Sequence, residues 1–257
     1  MTFKELLHGS HEPVGTYIAE FIGPHLGPVL SSAGADFGMI DMEHSGFTYE
    51  TVKSGLRHLH DAGVASLVRP PSRTYDHISR ALDVGAQALM PPMVGSAEEA
   101  RRILGYMKYP PDGERGVILN VAHDGYVPGP PHEKLANANA MTAFVPLIET
   151  PEGIADIDAI AAIDGVDCLW IGHFDLSCRM GIPAQFDHPE FQAAVDKVLA
   201  AGAANGKRVG RMVGSVDEAV ALRAMGFSAF MYSGDIFLYQ AALADGIGQV
   251  RARFADD

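Results

Sequence analysis

A single (β/α)8 TIM barrel is the α/β fold this sequence predicts, on three observations. Eight short β-branched or apolar runs, 14–21, 37–41, 65–69, 87–91, 143–148, 167–171, 208–212 and 228–232, alternate with segments that can be helical. The length of 257 residues is the usual size for eight such units, and no Gly/Ser-rich or charged linker divides the chain, so residues 1–257 read as one domain. MVGSAEEA at 93–100 recurs as MVGSVDEA at 212–219, each copy a strand end, a turn glycine and a serine three residues before a glutamate. That spacing is a capping box and marks a helix start. A doubly wound open sheet is the alternative arrangement of the same elements.

In a barrel the active site lies at the C-terminal ends of the strands, so the polar residues that close each run carry the functional information. The second run ends in Asp41, followed by Glu43 and His44, and the third ends in Arg69. The fourth leads into the helix opened by Ser96. After that helix, KYPPDGERGVILNVAHDGYVPGPPHE at 108–133 has the Pro and Gly density of a loop and the length of a lid or interface arm, expected on the strand-end face. The fifth run is followed by Glu149 and the sixth by His173 and Asp175; Arg211 ends the seventh, and Asp235 follows the eighth. The last helix, IFLYQAALADGIGQV, is apolar enough either to pack on its own barrel or to leave it.

Glu149 and Asp175 follow neighbouring strands and would place two carboxylates in one cup, where a hard divalent cation such as Mg²⁺ or Mn²⁺ relieves their repulsion. The bland alternative is that each caps the helix that follows it. A buried Arg69 needs a partner, either a carboxylate such as Glu43 or an anionic substrate gripped by the guanidinium fork. His44, beside two acids, is the best placed imidazole for acid/base work, ahead of His123 and His173. His58 and His60, two apart on one helix, point to different faces and cannot share a metal. No lysine falls at a strand end, so a Schiff base has no obvious candidate and carbonyl chemistry needs a metal.

Composition excludes several classes. With 32 acidic against 19 basic residues, net charge −13 and scattered arginines, the chain offers no footprint for nucleic acid or an anionic membrane. No apolar run reaches spanning length, and MTFKELLHGSHEPVG lacks the apolar stretch of a signal peptide, which predicts a cytoplasmic protein. The two cysteines, Cys168 and Cys178, have no zinc-site spacing and read as free thiols. Phosphate-loop, dinucleotide-turn and nucleophile-elbow motifs are absent from the sequence.

Six segments in order carry a resemblance: IDMEHSGFT at 40–48, LVRP at 67–70, ALDVGAQALMPPMV at 81–94, KYPPDGERGV at 108–117, IETPEG at 148–153 and DCLWIGHFDLSCRMGIP at 167–183. Over nearly its whole length the chain resembles the HpcH/HpaI aldolase family, metal-dependent class II pyruvate aldolases. The resemblance implies a (β/α)8 barrel assembled as a homohexamer, a trimer of dimers with exchanged C-terminal helices. By position in the motifs, Glu149 and Asp175 match the ligands of a divalent metal (Mg²⁺, Mn²⁺ or Co²⁺), Arg69 the arginine on the keto acid and His44 the catalytic histidine. Asp41 and Asp83 match acids supporting the histidine and the subunit-edge part of the site. Backbone amides from Gly172 through His173 and Phe174 to Asp175 would receive the substrate carboxylate.

Two positions depart from the commonest family pattern: Leu147 stands where a glutamine precedes the metal glutamate by two, and His173 stands where a proline follows the glycine. Leu147 cannot hydrogen-bond a metal-bound water, and His173 is placed to contact a donor substituent or an acceptor aldehyde. The implied reaction is cleavage or formation of 4-hydroxy-2-keto acids from an aldehyde and the enolate of pyruvate or hydroxypyruvate. The rivals are a lyase or synthase acting on citrate or a CoA thioester on the same barrel, and a barrel that binds keto acids without catalysis.

Overall fold

A computed structural model describes residues 1–255. Nine parallel strands form one curled sheet in the order β5-β4-β3-β2-β1-β9-β8-β7-β6. They are β1 (Val14–Ile18), β2 (Phe37–Asp41), β3 (Ala65–Arg69), β4 (Ala88–Leu89), β5 (Ala143–Phe144), β6 (Leu147–Ile148), β7 (Cys168–Ile171), β8 (Arg208–Val213) and β9 (Ala229–Gly234). The expected eight runs are all present. The fifth is divided into β5 and β6 because Pro146 has no N–H to donate and interrupts the ladder.

The same segment closes the ring. Val145 N–H donates to Leu89 O on one side, while on the other Trp170 N–H donates to Pro146 O and Gly172 N–H to Ile148 O. Every strand is therefore paired on both flanks, and the sheet is a TIM-like barrel rather than the open alternative.

Alternation along the strands sorts the side chains into two cores. Met39, Leu67, Met90, Leu147, Trp170 and Met231 fill the barrel interior. Ile40, Val68, Leu89, Ile148, Leu169 and Val209 face the surrounding helices. Helix α1 (Phe3–His8) closes the N-terminal end of the barrel with Phe3, Leu6 and Leu7. Its start is a reciprocal capping box of Thr2 and Glu5.

The repeated octapeptide does mark helix starts, at α5 (Ala97–Met107) and α11 (Val216–Met225). Ser96 and Ser215 each accept the N–H three residues on at 3.1 Å. The glutamate half reaches one residue further back than in a reciprocal box: Glu99 accepts from Gly95 N–H and Glu218 from Gly214 N–H.

The 108–133 segment corrects an expectation. It leaves α5, which has already returned the chain to the N-terminal end of the barrel, so it emerges there and not on the strand-end face. Its tip climbs the outside, where Gly116 N–H donates to the Tyr75 hydroxyl at 2.8 Å. The stretch ends in a 3-10 turn (Ala122–Asp124) and in α6 (Pro131–Met141). Between α1 and α5 lie α2 (Leu26–Ser32), α3 (Tyr49–Asp61) and α4 (Tyr75–Asp83), and after α6 come α7 (Pro151–Ala155), α8 (Ile157–Ala161), α9 (His173–Arg179) and α10 (Pro189–Ala204).

The last helix, α12 (Asp235–Ala255), touches its own barrel only through its first turns, where Phe237 meets Tyr17 and Tyr239 meets Phe21, and leaves it beyond them. None of its residues is buried. Tyr239, Leu243, Ile247, Val250 and Phe254 recur at helical spacing and remain exposed, Phe254 at 74%. No helix among the described residues is long and apolar enough to cross a membrane.

Candidate active site

The strand ends of β2 and β3 build the first half of the site. Asp41 is wholly buried at the end of β2, in register with Arg69 at the end of β3. Both lie on the inward face, and Arg69 grips Asp41 side-on, Nε to Oδ1 at 2.7 Å and Nη2 to Oδ2 at 2.9 Å. Asp41 also accepts the N–H groups of Glu43 and His44, which shapes the turn after β2. A fifth donor, the Tyr17 hydroxyl on β1, lies 2.7 Å from Oδ2. Burial works against the Asp41 charge, but the Arg69 hydrogen bonds and charge outweigh it and hold the carboxyl below its usual value.

The carboxylate partner of Arg69 is thus Asp41 first, with Glu43 Oε2 at 3.4 Å from Nε. This pairing leaves Nη1 with no hydrogen-bond partner among the described residues, in a side chain that is 12% exposed.

The second half comes from the ends of β6 and β7. Glu149 is buried and does not cap the helix after it; Thr150 does, accepting Gly153 N–H at 3.0 Å. Glu149 instead turns inward, and its Oε1 accepts Met93 N–H at 2.7 Å. Met93 presents that amide from a left-handed backbone, φ 59°, an uncommon conformation for a residue with a side chain. Burial pushes the Glu149 carboxyl up to about 7, with the Met93 amide opposing and the nearby Asp175 and Glu43 charges adding to the rise. Burial also raises Glu43, against the pull of Arg69 and His44.

Asp175 lies in the first turn of α9, whose N-cap is Gly172 with no side-chain cap. A Cβ at Gly172 would sit 2.4 Å from Glu149 Oε2, so only glycine leaves that oxygen room. Gly172→Ala should displace the carboxylate and cost about 1–3 kcal/mol, as overpacking of a buried position usually does, measurable as a lower melting temperature.

His44 is 59% exposed, with Nε2 3.6 Å from Glu43 Oε2. Its ring is therefore beside Glu43; Asp41 reaches only its backbone. Three other positions stand apart from this group. Asp83, at the end of α4, takes Arg115 Nη2 at 2.6 Å and is not joined to Glu149 or Arg69 within one chain. The His173 ring lies 4.8 Å from that of the exposed Phe174 and 5.0 Å from Phe186. Burial and the adjacent Arg211 charge pull this imidazole down to about 3, so it is neutral near pH 7. Arg211 Nη2 donates to Glu218 Oε1 at 3.1 Å.

The expected amide cradle is narrower than Gly172 to Asp175. Gly172 N–H is used by Ile148 O, whereas those of His173, Phe174 and Asp175 open α9 without a partner among the described residues. His123 is engaged in the outer loop with Ile118 O, and Asp235 accepts from the N–H groups of Ala19, Glu20 and Phe21. Two contributors escaped the sequence reading. Tyr17 lies within a strand run instead of after it, and only its inward register signals it; Met93 acts through its backbone, which has no signature in MPPMV.

Among the described residues no cluster of three or more His, Cys, Asp or Glu converges as a metal group. The residues that would hold a metal ion are two carboxylates, Glu149 and Asp175, with a third acid, Glu43, near enough that its charge, like that of Asp175, raises Glu149. All are oxygen donors, and the space beside Glu149 Oε2 is kept clear by Gly172. That set fits a hard divalent ion completed by water and substrate oxygens.

Residues 24–240 match the family model HpcH/HpaI aldolase/citrate lyase. The chain is 31% identical over 243 residues to a 2-keto-3-deoxy-L-rhamnonate aldolase of Salmonella paratyphi B, covering 94% of this chain and 90% of that protein. The crystal structure of an HpcH/HpaI aldolase from Desulfitobacterium hafniense DCB-2 superposes with TM-score 0.92 at 31% identity, covering 98% of this chain and 97% of the other. That of citrate synthase SbnG does so with TM-score 0.88 at 25% identity, covering 99% of each. By sequence over nearly its full length and by fold, this chain belongs to the HpcH/HpaI aldolase/citrate lyase family.

Proposed function

We propose that this protein is a divalent-metal-dependent aldolase that cleaves or forms 4-hydroxy-2-keto acids, with pyruvate or hydroxypyruvate as donor and an aldehyde as acceptor. The observation that carries this reading is a buried glutamate, Glu149, whose Oε2 has room only because residue 172 is glycine and whose proton affinity is raised further by the Asp175 and Glu43 charges, beside an arginine with an unused Nη1. An acidic cup of this kind accepts an anionic substrate only with a cation in it. Glu149 and Asp175 would hold that ion, Mg²⁺, Mn²⁺ or Co²⁺, which supplies Lewis-acid polarisation of the keto group.

The chain's own residues do the rest. Arg69 Nη1 donates to the keto oxygen, and the guanidinium charge opposes the negative charge that grows there as the donor enolises. Asp41 fixes the guanidinium so that this donor is aimed before the substrate arrives. The unpaired N–H groups of His173, Phe174 and Asp175 receive the donor carboxylate. His44, exposed at the rim beside Glu43, moves the proton between the aldol hydroxyl and the site, directly or through a water.

Proton NMR in D₂O tests the reading without an acceptor. The C3 proton signal of pyruvate or hydroxypyruvate should decay with Mg²⁺ present and persist with EDTA, and the faster of the two acids names the donor. No metal-dependent exchange with either would sink the aldolase reading. The likeness to a citrate synthase would then direct the assay to acetyl-CoA.

The same proposal covers assembly. The contiguous exposed stripe on α12 has the character of an interaction surface, and it suits exchange of this helix with a second copy, within the hexamer that the family resemblance implies. Ile247→Asp with Phe254→Asp should convert the oligomer to monomer in light scattering coupled to gel filtration; an unchanged mass would refute the helix exchange.

A further inference from the structure

Outside the groups already given roles, one side chain touches both halves of a single mechanical joint. Tyr17 lies on the inward face of β1, half-buried. Its hydroxyl donates to Asp41 Oδ2 at 2.7 Å, the same oxygen that receives Arg69 Nη2. The Arg69 guanidinium carbon stands 5.9 Å from the centre of the Tyr17 ring. On its other side the ring stacks on Phe237 of α12, with centroids 6.3 Å apart and planes 13° from parallel.

The close approach is built into the backbone. A Cβ at Gly234 would lie 2.7 Å from Tyr17 Cδ1 and 3.1 Å from Phe237 Cδ2, so a side chain there would pry the stack open. Asp235 locks the joint. Its carboxylate accepts Ala19 N–H at 3.1 Å, Glu20 N–H at 2.9 Å and Phe21 N–H at 2.8 Å, tying the end of β1 to the first turn of α12. One turn further, Tyr239 meets Phe21 edge-on at 5.5 Å.

We propose that Tyr17 is a positioning residue: its hydroxyl holds Asp41, and through Asp41 the Arg69 guanidinium, in the orientation that leaves Nη1 for the keto acid, while its ring ties that geometry to the base of α12 through Phe237. Asp41 has at most about four lone-pair directions for the five donors aimed at it, so losing one lets the others re-sort. Arg69 is the only one of those donors with a second task. The base of α12 is thereby coupled to the substrate arginine, although α12 itself contributes no group to the site. The catalytic consequence rests on the aldolase reading above, whereas the geometric part stands without it.

The experiment reads both parts. In protein labelled with ¹⁵N-arginine, the Arg69 Nε–H signal, identified by its loss in Arg69→Lys, should exchange slowly with solvent. Tyr17→Phe keeps the ring and removes only the hydroxyl; it should speed that exchange about tenfold, the scale of one hydrogen bond to a charged group. The kcat/KM for pyruvate in metal-dependent C3 exchange should fall by at least a similar factor, with kcat lowered as well as KM raised, because Arg69 opposes charge that grows as the donor enolises.

Phe237→Leu keeps the hydroxyl and removes the stack. It should shift both readouts in the same direction by about threefold, and the double variant should resemble Tyr17→Phe alone, because the two act along one path. A lower melting temperature with the Arg69 signal and kcat/KM unchanged would reduce Tyr17 to a packing residue and overturn the proposal. If the wild type shows no pyruvate exchange, the aldolase reading fails, and the Arg69 signal in Tyr17→Phe still decides the positioning role.

Discussion

Glu149→Gln should yield a protein that is more stable and inactive. The Glu149 carboxyl is raised from an ordinary value near 4.5 to about 7, chiefly by burial. For an acid this means that the folded state disfavours the ionised form, so ionisation costs stability. Below about pH 4.5 the group is protonated in both folded and unfolded chains and costs nothing. The penalty grows as pH rises towards 7 and is fully present above it, on the order of 3 kcal/mol for a rise of this size.

Glutamine removes the charge and keeps the shape, so the metal-free variant should melt several degrees above the metal-free wild type at pH 8. Near pH 4.5 the two should melt together. Mg²⁺ or Mn²⁺ should raise the wild-type melting temperature and leave the variant's unmoved, because a ligand must be deprotonated to bind the ion. Metal-dependent C3 exchange should fall by at least a thousandfold in the variant. Thermal melts at the two pH values, with and without metal, together with the NMR assay, check all of this. Full activity in Glu149→Gln would remove Glu149 from the metal site.

Asp41→Ala should have the opposite effect on stability and the same effect on activity. Asp41 is wholly buried, and Arg69, its bidentate partner, nearly so. Removing one partner strands the other charge in a low-dielectric site, which costs about 3–5 kcal/mol. The N–H groups of Glu43 and His44 lose their acceptor in the same stroke. We expect a melting temperature lower by roughly 10 °C and no measurable exchange. Asp41→Asn keeps an acceptor oxygen and should fall between Asp41→Ala and the wild type in stability. A near-native melting temperature in Asp41→Ala would show that Arg69 finds water or Glu43 at little cost.

These two variants separate carboxylates that look alike in the sequence. Asp41 ends β2 and Glu149 follows β6, and each has an arginine within its surroundings. Position along the chain assigns both to the C-terminal ends of strands, where the structure has them. Their opposite proton affinities arise from neighbours distant in sequence: Asp41 meets Arg69 directly, whereas Glu149 meets one amide and two further acids.

Much of the architecture was legible in the residues. Eight apolar runs, two serine-capped helix starts and an uninterrupted length specify alternating βα units and favour the barrel over an open sheet, because strand and helix periodicities and caps are local properties of the chain. Asp41, Glu43, Arg69, Glu149 and Asp175 were also legible, since the fold obliges strand-end polar groups to meet.

Tertiary structure alone decided the rest. Which carboxylate Arg69 takes, that Thr150 and not Glu149 caps α7, that His173 packs against Phe186, and that the 108–133 arm rises from the N-terminal end of the barrel all depend on side-chain direction and on contacts between strands far apart in sequence. Tyr17 and the Met93 amide joined the site for the same reason. Neither residue type announces its role, and each acquires one only when the closing of the barrel brings it within hydrogen-bond distance of a buried charge. The bare face of α12 belongs here too: its apolar pattern fits packing on its own barrel or on another, and only the three-dimensional arrangement shows that its own barrel leaves it uncovered.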